Sequence, residues 1–232
     1  MFAYDDAVAE RYPTIRTGVV HATGLGNRPS PPELLAEYRA EQRAASERLS
    51  ETAIADLPSI AAWRRAFTRF GARPTQYRNA AEALLRRLDK TGEIPSINML
   101  VDIGNLVSIR YALPVAVFDQ AGVVGSTTVR FATGGERFTD IGSSDLTSPD
   151  PGEVVFVDAA DVVSARRWCW RQSAQSATGP TTVDALIVVE GLHDTAADDV
   201  ESALADLTSL LVAYEPGSST ESWRLSASKP SC

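Results

Sequence analysis

Three polar side chains are spaced by four and three residues within an otherwise apolar stretch. Asn98, Asp102 and Asn105 occupy positions that a 3.6-residue period places on one side of a helix. Asp and Asn are poor formers of helix interiors because their side chains compete for backbone hydrogen bonds. A row of amides and a carboxylate suits an ammonium group, so these residues are candidates for substrate binding.

The same three residues also have structural explanations. Asn98 is a good N-cap residue, and Asn105 can simply face water. Asp102 can complement the helix dipole or pair with an arginine such as Arg110. The spacing alone leaves both interpretations open.

A run of arginines and tryptophans, RRWCWR at residues 166–171, offers a different chemistry. Alternation predicts a strand with Arg166 and both tryptophans on one face and Arg171 on the other. Two functions fit this pattern: the rings and arginines bind a single nucleic-acid strand, or Arg171 points into a small pocket and binds a carboxylate. A core strand whose arginines reach solvent or pair with acids is the third interpretation.

The segment that follows, QSAQSATGPTT at residues 172–182, is rich in hydroxyl and amide side chains. It lies between two predicted strands, the second of which spans residues 184–190 and ends in a carboxylate. Such a loop can line a polar pocket, or it can be ordinary surface. The candidate substrate-binding residues in this region are Arg171, Gln172, Ser173, Thr181, Thr182 and Glu190.

The loop FGARPTQYRN at residues 70–79 carries two arginines beside a tyrosine. Guanidinium groups bind phosphates and carboxylates well, so Arg73 and Arg78, together with Arg166, are the candidate contacts for RNA. The alternative is that these loop charges only face water.

The elements that must position these residues mix helices and strands. Ser30-Pro31-Pro32 is a strong helix start, with prolines in the first turn, and predicts a helix over residues 30–51. Apolar spacings of three and four predict helices over residues 58–70, 98–111 and 195–214, and a further helix is predicted over residues 80–88. Alternating or compact apolar runs predict strands over residues 115–119, 127–131, 153–158 and 184–190. We therefore expect an α+β fold in which helices pack on a mainly antiparallel sheet.

Three regions follow from this pattern. Residues 1–76 are expected to form an N-terminal strand and a helical arm packed on the core, because the helix at 30–51 is heavily charged. Residues 77–214 are expected to form the main domain. Residues 215–232 contain Ser, Pro and Gly, which predicts a frayed tail.

Several of these segments, in the same order, resemble a known family. VDIGNLVSIRYALPVAVFD at residues 101–119 resembles the signature of the B3/B4 domain of the phenylalanyl-tRNA synthetase beta subunit. VVGSTTVRFATGGERF at residues 123–138 is similar to the next segment of that domain, and Thr181-Thr182 with residues 186–190 is similar to its last core strand. The likeness covers residues 77–211, as in stand-alone relatives built from this domain alone.

The resemblance implies a B3/B4-like α+β fold and an editing function. In the synthetase, this domain hydrolyses tyrosine that is mischarged onto the phenylalanine tRNA. A stand-alone homologue is therefore expected to bind aminoacyl-tRNA and to hydrolyse mischarged aminoacyl-tRNA in trans, so that tRNA or aminoacyl-tRNA is its expected partner.

Two departures from the family pattern bear on catalysis. Ala116 stands where the family has a histidine, and Arg171 and Gln172 align with its Gly-Gly turn. No catalytic residue is therefore assigned. The missing histidine and the acidic charge of the chain favour the alternative, a non-catalytic binding module for a free amino acid, another small molecule or a protein partner.

Composition excludes several classes of protein. The 22 Lys and Arg residues against 30 Asp and Glu give a net charge of −8, which argues against DNA and other broad phosphate-driven binding. The two cysteines form no metal or disulfide pattern, and no P-loop occurs, so no metal and no cofactor is expected. The first residues lack the pattern of a signal peptide, and no apolar run reaches the roughly 18 residues that span a bilayer, which predicts a cytoplasmic protein without a membrane partner.

Overall fold

The chain folds into six α-helices and eleven strands, and the computed structural model describes residues 1–232. The helices are α1 (Asp6–Arg11), α2 (Pro32–Glu51), α3 (Pro58–Arg69), α4 (Ala80–Thr91), α5 (Met99–Tyr111) and α6 (Ala196–Tyr214). The first six strands are β1 (Phe2–Tyr4), β2 (Arg16–Thr23), β3 (Val115–Asp119), β4 (Thr127–Phe131), β5 (Phe138–Thr139) and β6 (Leu146–Thr147). The others are β7 (Val154–Val157), β8 (Val163–Arg166), β9 (Arg171–Gln172), β10 (Asp184–Gly191) and β11 (Ser219–Ser226).

Two sheets organise the molecule. One has the strand order β11-β2-β10-β3 and the other has the order β1-β4-β7-β8-β9, while β5 and β6 form a separate short pair. Every pairing is antiparallel except that of β1 with β4. The expected α+β fold with mainly antiparallel strands is confirmed.

The four-stranded sheet is covered on both faces, and β10 shows this by its alternation. Ile187 and Val189 join an apolar core with helices α2, α4, α5 and α6. Leu186 and Val188 join a second core, which the five-stranded sheet and α3 complete. Because strand side chains alternate between faces, Glu190 falls on the same face as Leu186 and Val188, toward this second core.

Helix α5 begins and ends as its sequence predicts. The Asn98 side chain accepts a hydrogen bond from the Val101 backbone N–H at 3.1 Å, which satisfies one of the free donors of the first turn. The helix stops at Ala112, whose φ is 53°, and Leu113-Pro114 then lead into β3.

The first 76 residues are built into the sheet and the helical layer. β2 lies between β11 and β10, so it is an interior strand. Helix α2 packs against α4 and α5 and buries Leu34 and Tyr38. Helix α2 therefore packs on the core through Leu34, Tyr38 and Leu49.

The frayed tail expected at residues 215–232 is wrong. β11 pairs with β2 along its whole length, from Ser219 opposite Thr23 to Ser226 opposite Arg16. Further on, the Tyr4 N–H donates to the Pro230 carbonyl at 2.8 Å. The polar composition did not reveal this strand, because its pairing with the open edge of β2 leaves no local signal in the sequence.

The strand expected at residues 166–171 is also wrong. A tight turn joins β8 to β9 and places Arg166 opposite Arg171. Arg167 and Trp168 adopt positive φ angles of 45° and 61°, so the two-residue alternation is broken there.

None of the six helices combines the length and the apolar character that a bilayer crossing requires. No group of three or more His, Cys, Asp or Glu side chains is arranged so that it could hold a metal ion.

Candidate functional site

A buried carboxylate marks the most distinctive polar position in the second core. Glu190, near the end of β10, is only 2% exposed. The Tyr4 hydroxyl donates a hydrogen bond to its Oε1. The indole N–H of Trp168 donates to the same oxygen, at 2.8 Å. The other oxygen, Oε2, has no hydrogen-bond partner within the protein and is not sealed from solvent.

The environment of Glu190 shifts its protonation equilibrium into the physiological range. Burial raises its pKa to about 7, and the hydrogen bonds from Tyr4 and Trp168 act in the opposite direction. Near neutral pH the carboxyl group is therefore present in both forms. Oε2 can accept a hydrogen bond from a ligand in one form and can donate one in the other.

The turn at residues 167–170 places the Trp168 ring beside Glu190. Non-glycine residues held at positive φ, as Arg167 and Trp168 are here, destabilise the fold by roughly 1–3 kcal/mol each. The Trp168 ring is fully buried, with its centroid 5.1 Å from Trp63 and 4.8 Å from Tyr12, both edge-to-face. Full burial of a large apolar side chain contributes about 1.5–3 kcal/mol, so packing offsets much of the backbone strain.

Glu190 faces a cavity of about 70 Å³, which we call the Glu190 pocket. Aromatic rings from both sheets and from the turn surround it: Phe118, Phe156, Trp168 and Trp170. Ala116, on β3, also lines the pocket. The methyl group of Ala116 leaves this wall without a titratable side chain.

The rim of the pocket is a stack of arginines and aromatic rings. The Arg167 guanidinium lies 4.0 Å from the ring centroid of Tyr77 and 4.9 Å from that of Trp170. Arg167 also pairs with Glu153 at 2.9 Å, so its charge is neutralised inside the protein. Arg171 lies 4.6 Å from the Trp170 centroid and pairs with Asp140. The rim is thus aromatic, and acidic partners cancel much of its positive charge.

Three of the predicted substrate-binding residues meet at this pocket. Arg171, Gln172 and Glu190 all line it. The Gln172 amide is held in place because its Nε2 donates to the Val117 carbonyl at 2.8 Å and to the Ser176 carbonyl at 2.7 Å. Its Oε1 accepts no hydrogen bond within the protein.

The hydroxyl residues of the 172–182 loop lie outside the pocket. Ser173 is fully buried, and its hydroxyl lies 3.1 Å from that of Ser176. Thr182 is also fully buried and donates to Asp119 Oδ2 at 2.5 Å. Thr181 is exposed. The two buried hydroxyls fix the shape of the loop, and their predicted role in substrate binding stays a prediction.

The polar row of α5 is divided among three environments. Asn98 caps the helix, and its Nδ2 donates to the Thr178 carbonyl at 3.4 Å. Asp102 is fully buried and accepts hydrogen bonds from the Ser30 and Ser96 hydroxyls and from the Ile97 N–H. It therefore ties the start of α2 to the start of α5.

Asn105 differs from the other two members of the row. It is half-buried in a groove between α4, α5 and β3, and its side chain makes no hydrogen bond at normal distance.

Two of the three predicted RNA contacts are paired with acids. Arg166 binds Glu153 at 2.7 Å, and Arg78 lies 3.9 Å from the buried Glu82. Arg73 is exposed and makes no ion pair. Its carbonyl accepts the Tyr77 N–H at 2.8 Å, so Arg73 lies one turn away from the aromatic rim. Their role in RNA binding stays a prediction.

Sequence reasoning missed the two residues that hold Glu190. Tyr4 lies in a three-residue strand far from the family signature, and no pattern in the sequence links it to Glu190. Trp168 was singled out, but alternation assigned it a face of a strand and not the inside of a turn. The only available signal was the unusual pair of tryptophans flanking Cys169.

The sequence matches the family model described as the B3/4 domain over residues 62–216. It is 34% identical over 79 residues to the phenylalanine–tRNA ligase beta subunit of Shewanella oneidensis, an alignment that covers 34% of this chain and 10% of that protein. A crystal structure of an N-terminal fragment of the phenylalanyl-tRNA synthetase beta-subunit from Pyrococcus horikoshii aligns with 95% of this chain and 50% of its own, at a TM-score of 0.46 and 11% identity.

The chain thus spans no more than half the length of these relatives. The family match covers every residue that lines the Glu190 pocket, and it includes the signature at residues 101–119. Tyr4, which binds Glu190, lies outside the match. The expected resemblance is confirmed, because the match extends over more than half of the chain: this protein belongs to the B3/4 domain family.

Proposed function

We propose that this protein binds the aminoacyl end of a tRNA, places the amino-acid side chain in the Glu190 pocket and hydrolyses mischarged aminoacyl-tRNA in trans. The observation that carries the proposal is the free Oε2 of Glu190: both hydrogen bonds to this carboxyl group go to Oε1, and Glu190 lines an aromatic cavity. Membership of the B3/4 family and likeness to subunits of phenylalanine–tRNA ligases support an aminoacyl ester as the ligand.

The size of the pocket restricts the side chain. A cavity of 150 Å³ holds a benzene ring, and the Glu190 pocket measures about 70 Å³. A phenol ring is therefore too large for this pocket. The free carboxyl oxygen favours a group that can donate a hydrogen bond. A small hydroxylated side chain, that of serine or threonine, satisfies both conditions.

Hydrolysis in this site depends on positioning. Ala116 supplies no base, and Glu190 is the titratable group within the pocket whose pKa is about 7. In the proposed reaction, Oε2 binds the side-chain hydroxyl and so holds the ester carbonyl where water can attack it. Water adds to the carbonyl carbon, the bond to the ribose oxygen breaks, and the proton released by water passes to that oxygen.

The rim residues have supporting roles in this proposal. Arg171 and Gln172 contact the substrate beside the pocket. Arg73, which makes no ion pair, contacts RNA phosphate. Arg166 contributes less, because its charge already has an acidic partner in Glu153. Arg78 shares the single carboxylate of Glu82 with Arg64 and Arg86, which bind it more closely, so its charge is available to phosphate.

Deacylation of a panel of aminoacyl-tRNAs carrying serine, threonine, alanine, phenylalanine and tyrosine tests the proposal. We expect faster hydrolysis of the serine or threonine esters and a loss of about tenfold or more in Glu190→Gln, which keeps the shape of the side chain but cannot ionise. Glu221→Gln is the matched control, since Glu221 is exposed on β11, and it should retain full activity.

A second candidate function is supported by Ala116. Without the family histidine, the pocket can bind a free amino acid and catalyse nothing. Calorimetric binding of serine or threonine that is lost in Glu190→Gln, with no deacylation of any ester, would support this candidate and exclude the enzyme. If neither binding nor hydrolysis depends on Glu190, both functions are excluded.

A further inference from the structure

A second cavity, of about 220 Å³, lies beside the residues that follow β10. The last part of α2, the end of α5 and the starts of α3 and α6 contribute to its walls. No residue lines both this cavity and the Glu190 pocket, so the two are separate sites. We call it the His193 pocket, after the histidine in its polar wall.

Much of the His193 pocket is aliphatic. Leu49 of α2, Leu57 before α3, Leu85 of α4 and Ile109 of α5 all line it. A cavity of about 150 Å³ with walls of this kind binds a benzene ring. The His193 pocket therefore has room for an apolar group of one ring with a short chain.

The polar wall is a histidine paired with a carboxylate. Only 5% of the His193 side chain is exposed, and its Nε2 lies 2.6 Å from Asp199 Oδ2. The Thr195 hydroxyl donates to the same oxygen at 2.8 Å. Asp199 Oδ1 accepts no hydrogen bond within the protein, and His193 Nδ1 is buried without a partner.

Both unused atoms of this pair are hydrogen-bond acceptors. Because Nε2 faces a carboxylate, the hydrogen of the neutral imidazole is assigned to Nε2, which leaves Nδ1 with a lone pair. A carboxylate oxygen accepts hydrogen bonds only. Buried polar atoms in folded proteins nearly always have a partner, so this wall favours a ligand that donates hydrogen bonds.

The arginines beside the cavity do not cancel the charge of Asp199. Arg48 binds Glu41 at 2.9 Å, and Arg110 binds Glu41 at 2.8 Å and Asp206 at 2.7 Å. These two cations and their two acidic partners balance one another. The Asp199 carboxylate is therefore the uncompensated charge of the His193 pocket.

We infer that the His193 pocket binds a protonated primary amine that carries an apolar group of about one ring. The ammonium group donates to Asp199 Oδ1, and the apolar group packs against Leu49, Leu57 and Ile109. An ammonium group has three donors, so the others are available to His193 Nδ1 and to water. The net charge of −8 favours the approach of a cation over that of an anion.

Calorimetric titration of phenethylamine into the full chain tests the inference, near pH 8, where an alkyl amine is protonated. Phenethyl alcohol and phenylpropanoate have the same ring on a neutral and an anionic head group. We expect the amine to bind at least about tenfold more tightly than the alcohol, and the propanoate not to bind, because only the amine forms a charge-assisted bond with Asp199.

Two substitutions separate the head group from the apolar group. Asp199→Asn keeps the shape of the side chain and should weaken the amine by about tenfold, to the affinity of the alcohol. Leu49→Trp should weaken both ligands by filling the pocket from a half-buried position on α2. Asp198→Asn is the matched control, since Asp198 is exposed in the same helical turn, makes no ion pair and lies outside the pocket.

The two histidines supply a measurement that needs no substitution. Addition of the amine should shift the imidazole NMR signals of His193 and leave those of His21 unchanged, because His21 pairs with Asp184 outside the pocket. This readout holds even if Asp199→Asn fails to fold.

Four outcomes would overturn the inference. They are no binding of the amine to the unmodified chain, equal affinities for the amine and the propanoate, equal losses in Asp198→Asn and Asp199→Asn, and amine binding that leaves the His193 signals unshifted. The third would reduce the effect to general charge.

The inference is independent of the proposed function, because the two pockets share no lining residue. Asp199→Asn should deacylate aminoacyl-tRNA as the unmodified chain does, and Glu190→Gln should bind the amine with unchanged affinity. Amine binding without any deacylation leaves the His193 site standing and the editing function excluded. Deacylation without amine binding has the opposite result.

Discussion

Tyr4 and Glu190, separated by 186 positions in the chain, share a buried hydrogen bond in which the tyrosine hydroxyl donates to the carboxyl group. The bond joins the two sheets, because Tyr4 ends β1 and Glu190 lies near the end of β10. Thr17 of β2 also contacts the Tyr4 hydroxyl, at 2.7 Å. The Oε1 atom of Glu190 thus accepts two hydrogen bonds within the protein, and Oε2 is left for the pocket.

Tyr4→Phe should raise the pKa of Glu190 further, because the hydrogen bond from Tyr4 favours the ionised form. The variant should also lose about 1–3 kcal/mol of stability, since Thr17 loses a buried partner as well. NMR titration of the Glu190 carboxyl carbon measures the first effect and urea unfolding the second. Tyr12→Phe is the control, because the Tyr12 hydroxyl makes only a 3.5 Å contact with the Ala66 carbonyl. An unchanged Glu190 pKa in Tyr4→Phe would contradict the geometry.

Glu190 should make the protein less stable as the pH rises. Its pKa is about 7 in the folded chain and near 4.5 in the unfolded chain, so between these values the folded state binds more protons. The stabilisation that protonated Glu190 adds to the free energy of unfolding is therefore fully present below about pH 4.5 and is lost as the pH rises through 7. The lost contribution amounts to roughly 3 kcal/mol.

Comparison of the unmodified chain with Glu190→Gln isolates this effect from other titrating groups. The two proteins should have similar unfolding free energies near pH 5, and the glutamine variant should be the more stable of the two at pH 8. Glu221→Gln should follow the unmodified chain at every pH, because Glu221 is exposed. A difference that stays constant with pH would show that Glu190 does not titrate in this range.

Glu153 is buried, 5% exposed, and should contribute strongly to stability. It pairs with Arg166 at 2.7 Å and with Arg167 at 2.9 Å, and both arginine side chains are about nine-tenths buried. Glu153→Ala leaves these two charges without their main partner, and breaking a buried pair costs about 3–5 kcal/mol. Glu201→Ala, which breaks the exposed pair with Arg224, should cost less than about 1 kcal/mol. Similar urea midpoints for the two variants would contradict this prediction.

Removal of residues 217–232 should destabilise the sheet and perturb the pocket. β11 covers the edge of β2, so its loss exposes a row of backbone donors and acceptors that favours aggregation. The segment also anchors β1, because Tyr4 N–H donates to Pro230, and Tyr4 in turn binds Glu190. Light scattering and urea unfolding of the shortened chain measure the outcome. A monomeric chain of unchanged stability would show that the strand is dispensable.

A shorter deletion separates the two effects. Removal of residues 230–232 leaves β11 in place but takes away the bond to Tyr4. We expect little aggregation and a measurable change in the pKa of Glu190.

Sequence patterns predicted the elements that have strong local signals. Helix α5 begins at the Asn98 cap and ends before Pro114, as expected, and α2 begins at the predicted prolines. β3 and β10 follow their apolar runs closely. Caps, proline and hydrophobic period act over a few residues, so they can be recognised without knowledge of the rest of the chain.

The contacts of the predicted site residues were decided by packing. Asp102 and Thr182 have the residue types of a binding site, yet their oxygens are taken up by nearby loops. Asn105 and Gln172 keep unused polar atoms. Which polar side chains remain free depends on which partners the fold brings within hydrogen-bond distance. The spacing of residues along the sequence does not predict these partners.

The sequence by itself determined the α+β class, the family and the position of Glu190 at the end of a core strand. Tertiary structure decided that Tyr4 and Trp168 hold this carboxylate, that residues 219–226 complete a sheet, and that a groove runs from Gln172 to Arg87. The physical reason is that these features are contacts between segments distant in the chain, where strand pairing and burial outweigh local preference.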